Sequence, residues 1–232
     1  MSFFHKYNLA LFKRWNPYVL SLQIVILLQS NCLYAVSMEG VLDLKADNFE
    51  HIEFKKIKKS HYSFRDHQLQ VDVEGSASFL MKSFDSVRKV RQVSFKWRKN
   101  GEPKIKDAQH EEHKQGDDAV FKLGLLLEGS GSFFNPFVPA WVKRVEGLLK
   151  YPSEDMIYLV ADSKHVPGQR WLNPYNERVT MIAIDSVDDT KSWQRSSYSF
   201  DRPVNVVGIW LMSDGDNTDS SFTVNVKDIK LK

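Results

Sequence analysis

The sequence is poor in cysteine and contains no long apolar run. Its single cysteine, Cys32, lies close to the N-terminus. If Cys32 is removed with an N-terminal leader, the mature chain has no thiol, which excludes disulfides, thiol catalysis and zinc–thiolate sites, so stability must come from an ordinary apolar core. The most apolar stretch, residues 18–28, has roughly eleven residues, whereas a membrane-spanning helix needs about 20. With 42% hydrophobic and 26% charged residues, the composition is that of a globular domain.

The first 37 residues have the layout of an export signal. A positive segment with Lys6, Lys13 and Arg14 precedes the apolar stretch, and the small residues Ala35 and Ser37 follow it. We therefore expect a signal peptide over residues 1–37, a single domain over residues 38–232, and a periplasmic or secreted protein with no stable membrane span after cleavage. Two alternatives stay open. One is an uncleaved anchor, and the other is lipid modification of Cys32, which the preceding asparagine disfavours.

The charge excess lies almost entirely in that leader. The formal net charge is +3 from 32 basic and 29 acidic residues, and residues 1–37 hold three basic residues and no acidic one. The mature chain is therefore neutral. Neutrality and export both disfavour a nucleic-acid partner.

Period-two alternation of apolar and polar residues dominates the mature chain. It is clear around Leu69, Val93, Phe121 and Phe222, and Gly, Asn, Asp and Pro punctuate the segments between. Eight or more short strands without repeated helices predict a mainly-β fold, a jelly-roll-like antiparallel β-sandwich. One short amphipathic helix is expected over residues 139–151, where apolar residues recur at three- and four-residue spacings.

Several motifs resemble a known family. They are the segments 75–78 (GSAS), 93–98 (VSFKWR), 114–119 (KQGDDA), 173–174 (NP), Trp193 and 208–218 (GIWLMSDGDNT). The chain resembles the secreted bacterial family called domain of unknown function 3047, with Phe95 standing where a second tryptophan would be expected. The resemblance implies an extracytoplasmic jelly-roll-like sandwich, similar to galactose-binding-like domains, and it implies no activity.

The acidic stretch 213–219 (SDGDNTD) is the sharpest candidate site. Alternating Asp214 and Asp216, with Asn217, could converge on calcium, which takes six to eight oxygen ligands. An EF-hand is excluded because Asn225 occupies the position of the final glutamate and the segment runs into a strand. The alternative is a hairpin turn in which Asp214 and Asn217 cap backbone amides.

A second acidic pair, Asp117 and Asp118, precedes a strongly apolar strand. A buried carboxylate needs a partner, and we expect Arg98 or Lys96 to supply it. If either aspartate meets the 213–219 carboxylates in space, the group could bind a cation, or it could act as acid and base on a glycosidic bond.

The tryptophans with Tyr175, and the segment 110–113, could each serve either a binding site or the structure alone. Trp171 and Tyr175 lie in a loop-like polar segment, residues 169–175, and could stack on a sugar, whereas Trp97 and Trp210 lie on apolar strands and suit a core. Residues 110–113 (HEEH) lack the spacing of a zinc-protease motif and are expected to form a solvated polar loop.

These observations predict an exported, non-catalytic ligand-binding sandwich, with a saccharide as the expected ligand class and calcium at Asp214 and Asp216 as the one candidate cofactor. A carbohydrate-active hydrolase and a structural scaffold remain as alternatives, and no catalytic residue is assigned. The candidate ligand-binding residues are Asp117, Asp118, Trp171, Tyr175, Asp214, Asp216 and Asn217.

Overall fold

The structure, a computed structural model, describes residues 40–130, 139–187 and 192–232, which contain ten strands, two short α-helices and one turn of 3-10 helix (Ala46–Asn48). The strands are β1 (Glu50–Glu53), β2 (His61–Arg65), β3 (Gln68–Glu74), β4 (Ser78–Asn100), β5 (Ala119–Glu128), β6 (Ser153–Ala161), β7 (Arg170–Asn173), β8 (Asn176–Ala183), β9 (Gln194–Asp214) and β10 (Ser221–Leu231). The helices are α1 (Ala108–Glu111) and α2 (Ala140–Leu148). The predicted signal peptide lies outside the described residues and stays a prediction, as does the boundary that follows it.

Two unusually long strands, β4 and β9, pair with each other and connect two layers of sheet. Their register breaks between Ser83 and Arg88 and again between Val90 and Gln92. Before these breaks β4 pairs with β1, and after them it pairs with β10. The front layer therefore runs β1-β4-β9-β5-β6-β8-β7, and the back layer runs β2-β3-β10-β4-β9.

Every described strand pair is antiparallel except β6 with β8. The exception arises because the connection after β6 carries the chain to the outer edge, where β7 forms a hairpin with β8. The predicted class, mainly β with an antiparallel sandwich, is confirmed.

The main core lies between the two layers. Alternate residues point into it, such as Phe121 and Leu123 on β5 and Phe95 and Trp97 on β4, all fully buried. Each such side chain contributes about 1.5–3 kcal/mol by leaving water. The period-two alternation seen in the sequence is therefore confirmed as the pattern of one buried face.

A second apolar cluster covers the outer face of the front layer. Phe79 on β4 and Trp210 on β9 belong to it, and α2 packs there through Val142 and Val145. The helix predicted over 139–151 is thus confirmed in a slightly shorter form. Because both faces of the front layer are covered at this point, the residues of β9 from 206 to 212 are buried without interruption. Neither described helix is long and apolar enough to cross a membrane.

The polar segment after β4 is more structured than its composition predicts. The carboxylate of Asp107 accepts a hydrogen bond from the amide of His110 at 2.8 Å and so caps α1. Glu111 is buried and accepts hydrogen bonds from Ser163 Oγ and from the amide of Lys164. The solvated loop expected for residues 110–113 is therefore wrong for His110 and Glu111, which end α1 and anchor this segment to the turn after β6, whereas Glu112 and His113 are exposed as expected.

Candidate functional site

A cavity of about 570 Å³ opens on the outer face of the front layer, beside α2. One part of its wall is aromatic, formed by Phe54, Trp141, Tyr158, Tyr175 and Trp210. The other part is polar, formed by Asp117, Lys122, Asn173, Asp214, Asp216 and Asn217. The volume is within the range of small-molecule binding sites.

The acidic loop, residues 215–220 between β9 and β10, forms one side of the polar wall. Its backbone turns tightly, since the amide of Ser220 donates to the Gly215 carbonyl at 2.9 Å and the Gly215 amide donates to Ser76. A Cβ atom at Gly215 would lie 2.8 Å from the Ser220 carbonyl oxygen. Only glycine fits this close approach, which explains its place between the two aspartates.

Asp118 fixes the conformation of the acidic loop. One of its carboxylate oxygens accepts hydrogen bonds from the backbone and side-chain amides of Asn217, both at 3.1 Å. The other oxygen accepts from the amide of Thr218 at 2.7 Å and from the Thr218 hydroxyl. Asp118 is 1% exposed, so these bonds replace its hydration, and it supports the loop from beneath the cavity.

Lys122 is a buried cation at the base of the cavity. On β5 its neighbours Phe121 and Leu123 face the main core, so Lys122 faces outward to the cavity. Its ammonium lies 3.0 Å from an Asp117 carboxylate oxygen and 3.1 Å from an Asp214 carboxylate oxygen. Burial alone lowers the pKa of Lys122, but the two carboxylates outweigh burial and raise the pKa above its ordinary value.

The prediction that Arg98 or Lys96 would pair with Asp117 or Asp118 is wrong. Lys96 instead binds Asp228 at 2.8 Å, and the Arg98 guanidinium lies over the ring of Trp193 at 4.8 Å. Both pairs belong to the outer face of the back layer. The expectation failed because Arg98 and Lys96 lie on the half of β4 that leaves the front layer after the register breaks.

Asp214 and Asp216 differ in their surroundings. Both oxygens of Asp214 have partners, since one accepts from the Ala119 amide at 2.9 Å and the other from Lys122. Burial raises the pKa of Asp214, Lys122 opposes the rise, and nearby carboxylates add to it. Asp216 is half-buried, and no other residue in the described part of the chain donates a hydrogen bond to its carboxylate. Burial, with Asp118 next, raises the pKa of Asp216 as well.

The carboxylates of Asp118, Asp214 and Asp216 cluster as a metal site would require, with one oxygen from each within 4.8 Å of the others. However, Asp118 uses both oxygens on the acidic loop, and Lys122 already neutralises Asp214. Calcium needs six to eight oxygens, and Asp216 alone offers a carboxylate without another partner. The calcium hypothesis stays a prediction, and the charge of Lys122 counts against it.

Of the two aromatic residues singled out in the sequence, Tyr175 lines the cavity and Trp171 does not. Tyr175, on the turn between β7 and β8, is 58% exposed, and its hydroxyl donates to Asn217 Oδ1 at 3.0 Å. Trp171 is only 7% exposed on β7, stacks on the His165 ring at 4.1 Å and does not line the cavity. The loop expected around Trp171 is wrong, because β7 pairs with β8 and turns this side chain into the second apolar cluster.

Six of the seven candidate residues thus converge on one place. The sequence reasoning missed Tyr158, Trp141 and Lys122, and it assigned Trp210 to the core. Trp210 does both, since its ring stacks on Phe79 at 3.9 Å while it also lines the cavity. Lys122 carried a readable signal, because it is the one charged residue inside the otherwise apolar run 119–127 and follows two aspartates.

Fold and cavity together define a β-sandwich protein with a ligand-sized, aromatic-walled cavity on one outer face. The chain belongs to the family described as "Protein of unknown function (DUF3047)", whose profile matches residues 47–230. The sequence motifs predicted this membership. The secreted, bacterial character attached to that prediction stays untested.

Comparison with other proteins adds little. No curated protein matches the chain. Among solved structures, the metal-free Emp46p carbohydrate recognition domain is 10% identical with a TM-score of 0.32, covering 80% of this chain and 90% of that one. The potassium-bound form is 9% identical with a TM-score of 0.31, covering 82% and 95%. Likeness at this level says nothing about the cavity.

Proposed function

We propose that this protein is an exported, non-catalytic binding protein whose cavity takes a saccharide. The observation that carries the proposal is the combination of aromatic rings and polar groups around one ligand-sized cavity. Sugars present apolar C–H faces and a rim of hydroxyls, so they need a flat ring on one side and hydrogen-bonding groups on the other.

The polar wall offers groups suited to hydroxyls. Asp216 has free acceptor oxygens, and Asn217 is held by Asp118 and Tyr175 with its backbone fixed. The Asn173 amide donates to Asp117 at 3.1 Å, which orients it at the cavity wall. Because these side chains are positioned by other residues, a ligand would lose little affinity to ordering them.

Hydrolysis is the weaker alternative for the same cavity. A glycosidase needs two carboxyl groups free to serve as acid and base or nucleophile. In Asp117, Asp118 and Asp214 both oxygens are engaged by Lys122, Asn173, the acidic loop or the Ala119 amide. Asp216 is then a single available carboxylate, which favours binding over turnover.

The proposal is tested with a panel of mono- and oligosaccharides, using intrinsic tryptophan fluorescence and titration calorimetry. Trp141 and Trp210 line the cavity, so a bound sugar should change the emission. Tyr175→Ala should weaken binding about five- to tenfold because a stacking ring is lost. Tyr175→Phe keeps the ring and should retain most of the affinity.

Trp193→Ala is the matched control, because Trp193 lies between Arg98 and Lys227 on the back layer, away from the cavity. It should bind sugar as the unaltered protein does. If no saccharide binds, or if Tyr175→Ala binds normally, the proposal is wrong. Release of sugar product would favour the hydrolase instead.

A further inference from the structure

The charge of the cavity narrows the class of saccharide. Four carboxylates meet at its polar end, from Asp117, Asp118, Asp214 and Asp216, and one ammonium, that of Lys122, lies among them. The positive charge of Lys122 balances one of these four negative charges. If Asp214 holds a proton in its buried position, Lys122 still balances only Asp117, and two negative charges remain.

No second cation of the described chain reaches this group. Lys114 lies over the ring of Tyr175 at 5.1 Å, and Lys104 donates to the backbone carbonyl of Asp219 at 2.6 Å, so neither ammonium pairs with the four carboxylates. Asp216 lines the cavity without a donor partner from another residue. The negative charge is therefore directed to the space that the ligand would fill.

The aromatic wall is an independent feature that favours the same sign of charge. Ring faces attract cations within about 6 Å of the centroid. Two lysines already use rings of this cavity in that way, since Lys122 lies 5.9 Å from the Tyr158 centroid and Lys114 lies 5.1 Å from that of Tyr175. Trp210 and Trp141 add two more rings, and Trp gives the strongest attraction of this kind.

We propose that the saccharide bound in this cavity carries a positive charge, as a sugar with a free amino group does. This inference rests on the proposed function and names the ligand class of the same cavity. The amine approaches Asp216 and the ring faces, while the sugar body stacks on the aromatic wall. An acidic sugar meets uncompensated carboxylates, and a neutral sugar leaves them without a counter-charge.

The test compares three ligands by calorimetry at several pH values from mildly acidic to neutral, because the amine must be protonated while Asp216, whose pKa is raised by burial, must stay ionised. They are short chitosan oligosaccharides with free amines, the matching N-acetylated oligosaccharides without charge, and oligogalacturonates with negative charge. The free amine should bind about tenfold more tightly than the N-acetylated form. Its affinity should fall with added salt, whereas that of the uncharged ligand should not.

Asp216→Asn keeps the shape of the side chain and removes its charge. It should lower the affinity for the free amine about tenfold and leave the N-acetylated ligand nearly unchanged. Asp201→Asn, an exposed aspartate of β9 that does not line the cavity, is the control and should change neither.

The outcomes separate this inference from the function on which it rests. Equal or tighter binding of the N-acetylated or acidic ligand overturns the inference and leaves the proposed function standing. The same holds if neither chitosan form binds while the wider panel yields only neutral or acidic sugars. If no saccharide binds at all, both are overturned.

Discussion

Replacing Lys122 by methionine is the most direct test of how the polar end of the cavity is held together. The side chain is 3% exposed and touches Asp117 and Asp214, whose side chains are 9% and 3% exposed. Methionine has similar length and leaves little empty space, so the substitution mainly removes a charge. Two buried carboxylates then lack the cation that stabilises their ionised forms.

The expected loss is about 3–5 kcal/mol in the free energy of unfolding, the usual cost of removing one partner from a buried ion pair. For a domain of this size each kcal/mol lowers the melting temperature by about 2–4 °C, which gives a fall of roughly 6–20 °C. The assay is urea denaturation with thermal melting as a check. Lys89→Met, at an exposed position of β4, is the matched control and should stay within about 0.5 kcal/mol.

A second variant separates lost charge from lost packing. Adding Asp214→Asn to Lys122→Met removes one of the stranded carboxylates, so the double variant should be more stable than Lys122→Met alone. A loss below about 1 kcal/mol for the single variant would refute the reasoning. So would a double variant that is no better than the single one.

Lys122→Met alone should also make the free energy of unfolding more sensitive to pH. In the folded protein the pKa of Asp214 is raised above its ordinary 3.8 by burial. The folded state therefore binds this proton more readily than the unfolded chain, and stability falls as pH rises from 3.8 through the raised pKa. Without Lys122 the pKa of Asp214 is raised further. The loss in free energy of unfolding caused by Lys122→Met should therefore become smaller as the pH is lowered. A deficit that is independent of pH would contradict this account.

Four further outcomes follow from the structure. Asp118→Ala should cost about 2–4 kcal/mol and speed amide exchange in the acidic loop, measured by denaturation and hydrogen exchange. Trp171→Ala should cost about 3–5 kcal/mol by opening a buried space, yet leave sugar affinity unchanged in calorimetry. A chelator, and added calcium after it, should leave the melting temperature unmoved because Lys122 supplies the cation. If the protein is exported as proposed, the mass of its mature form should place the N-terminus after Ala35 or Ser37.

A different result would contradict each of these four predictions. A stable Asp118→Ala variant would mean that the acidic loop holds its own shape. Weaker sugar binding by Trp171→Ala, in a protein that is still folded, would restore the role predicted from sequence. A melting temperature that drops with chelator and recovers with calcium would revive the metal hypothesis. An intact leader, or a mature N-terminus at a lipid-modified Cys32, would mean that the protein is anchored to the membrane.

The fold was accessible from sequence because its main signal is local. Alternation at Phe121, Leu123 and Leu125 marks a strand whatever it pairs with, and these residues are indeed buried between the layers. The length of β4 and β9 was not accessible. Both strands cross from one layer to the other at register breaks, and such breaks depend on the neighbouring strands rather than on the residues themselves.

The site was accessible in its acidic half, but in its aromatic half only at Tyr175. Asp118 and the acidic loop are separated by about a hundred residues in the sequence. Each could still be singled out by itself, because acidic residues beside a glycine and next to an apolar strand are unusual. Trp171 and Trp210 show the limit of the argument. Polar neighbours suggested exposure for Trp171, which is buried. Apolar neighbours suggested a core for Trp210, which is buried as expected but also lines the cavity, because α2 and the edge hairpin decide which side chains are covered.

The buried lysine connects stability to binding in this protein. Lys122 stabilises the two carboxylates of Asp117 and Asp214 at the base of the cavity, and Asp118 fixes the acidic loop that presents Asp216 and Asn217. Weakening the base of the cavity should therefore loosen its rim. If Lys122→Met speeds amide exchange in the acidic loop even where the protein remains fully folded, the ion pair positions the loop. If amide exchange in the loop is unchanged, the rim is held by Asp118 alone.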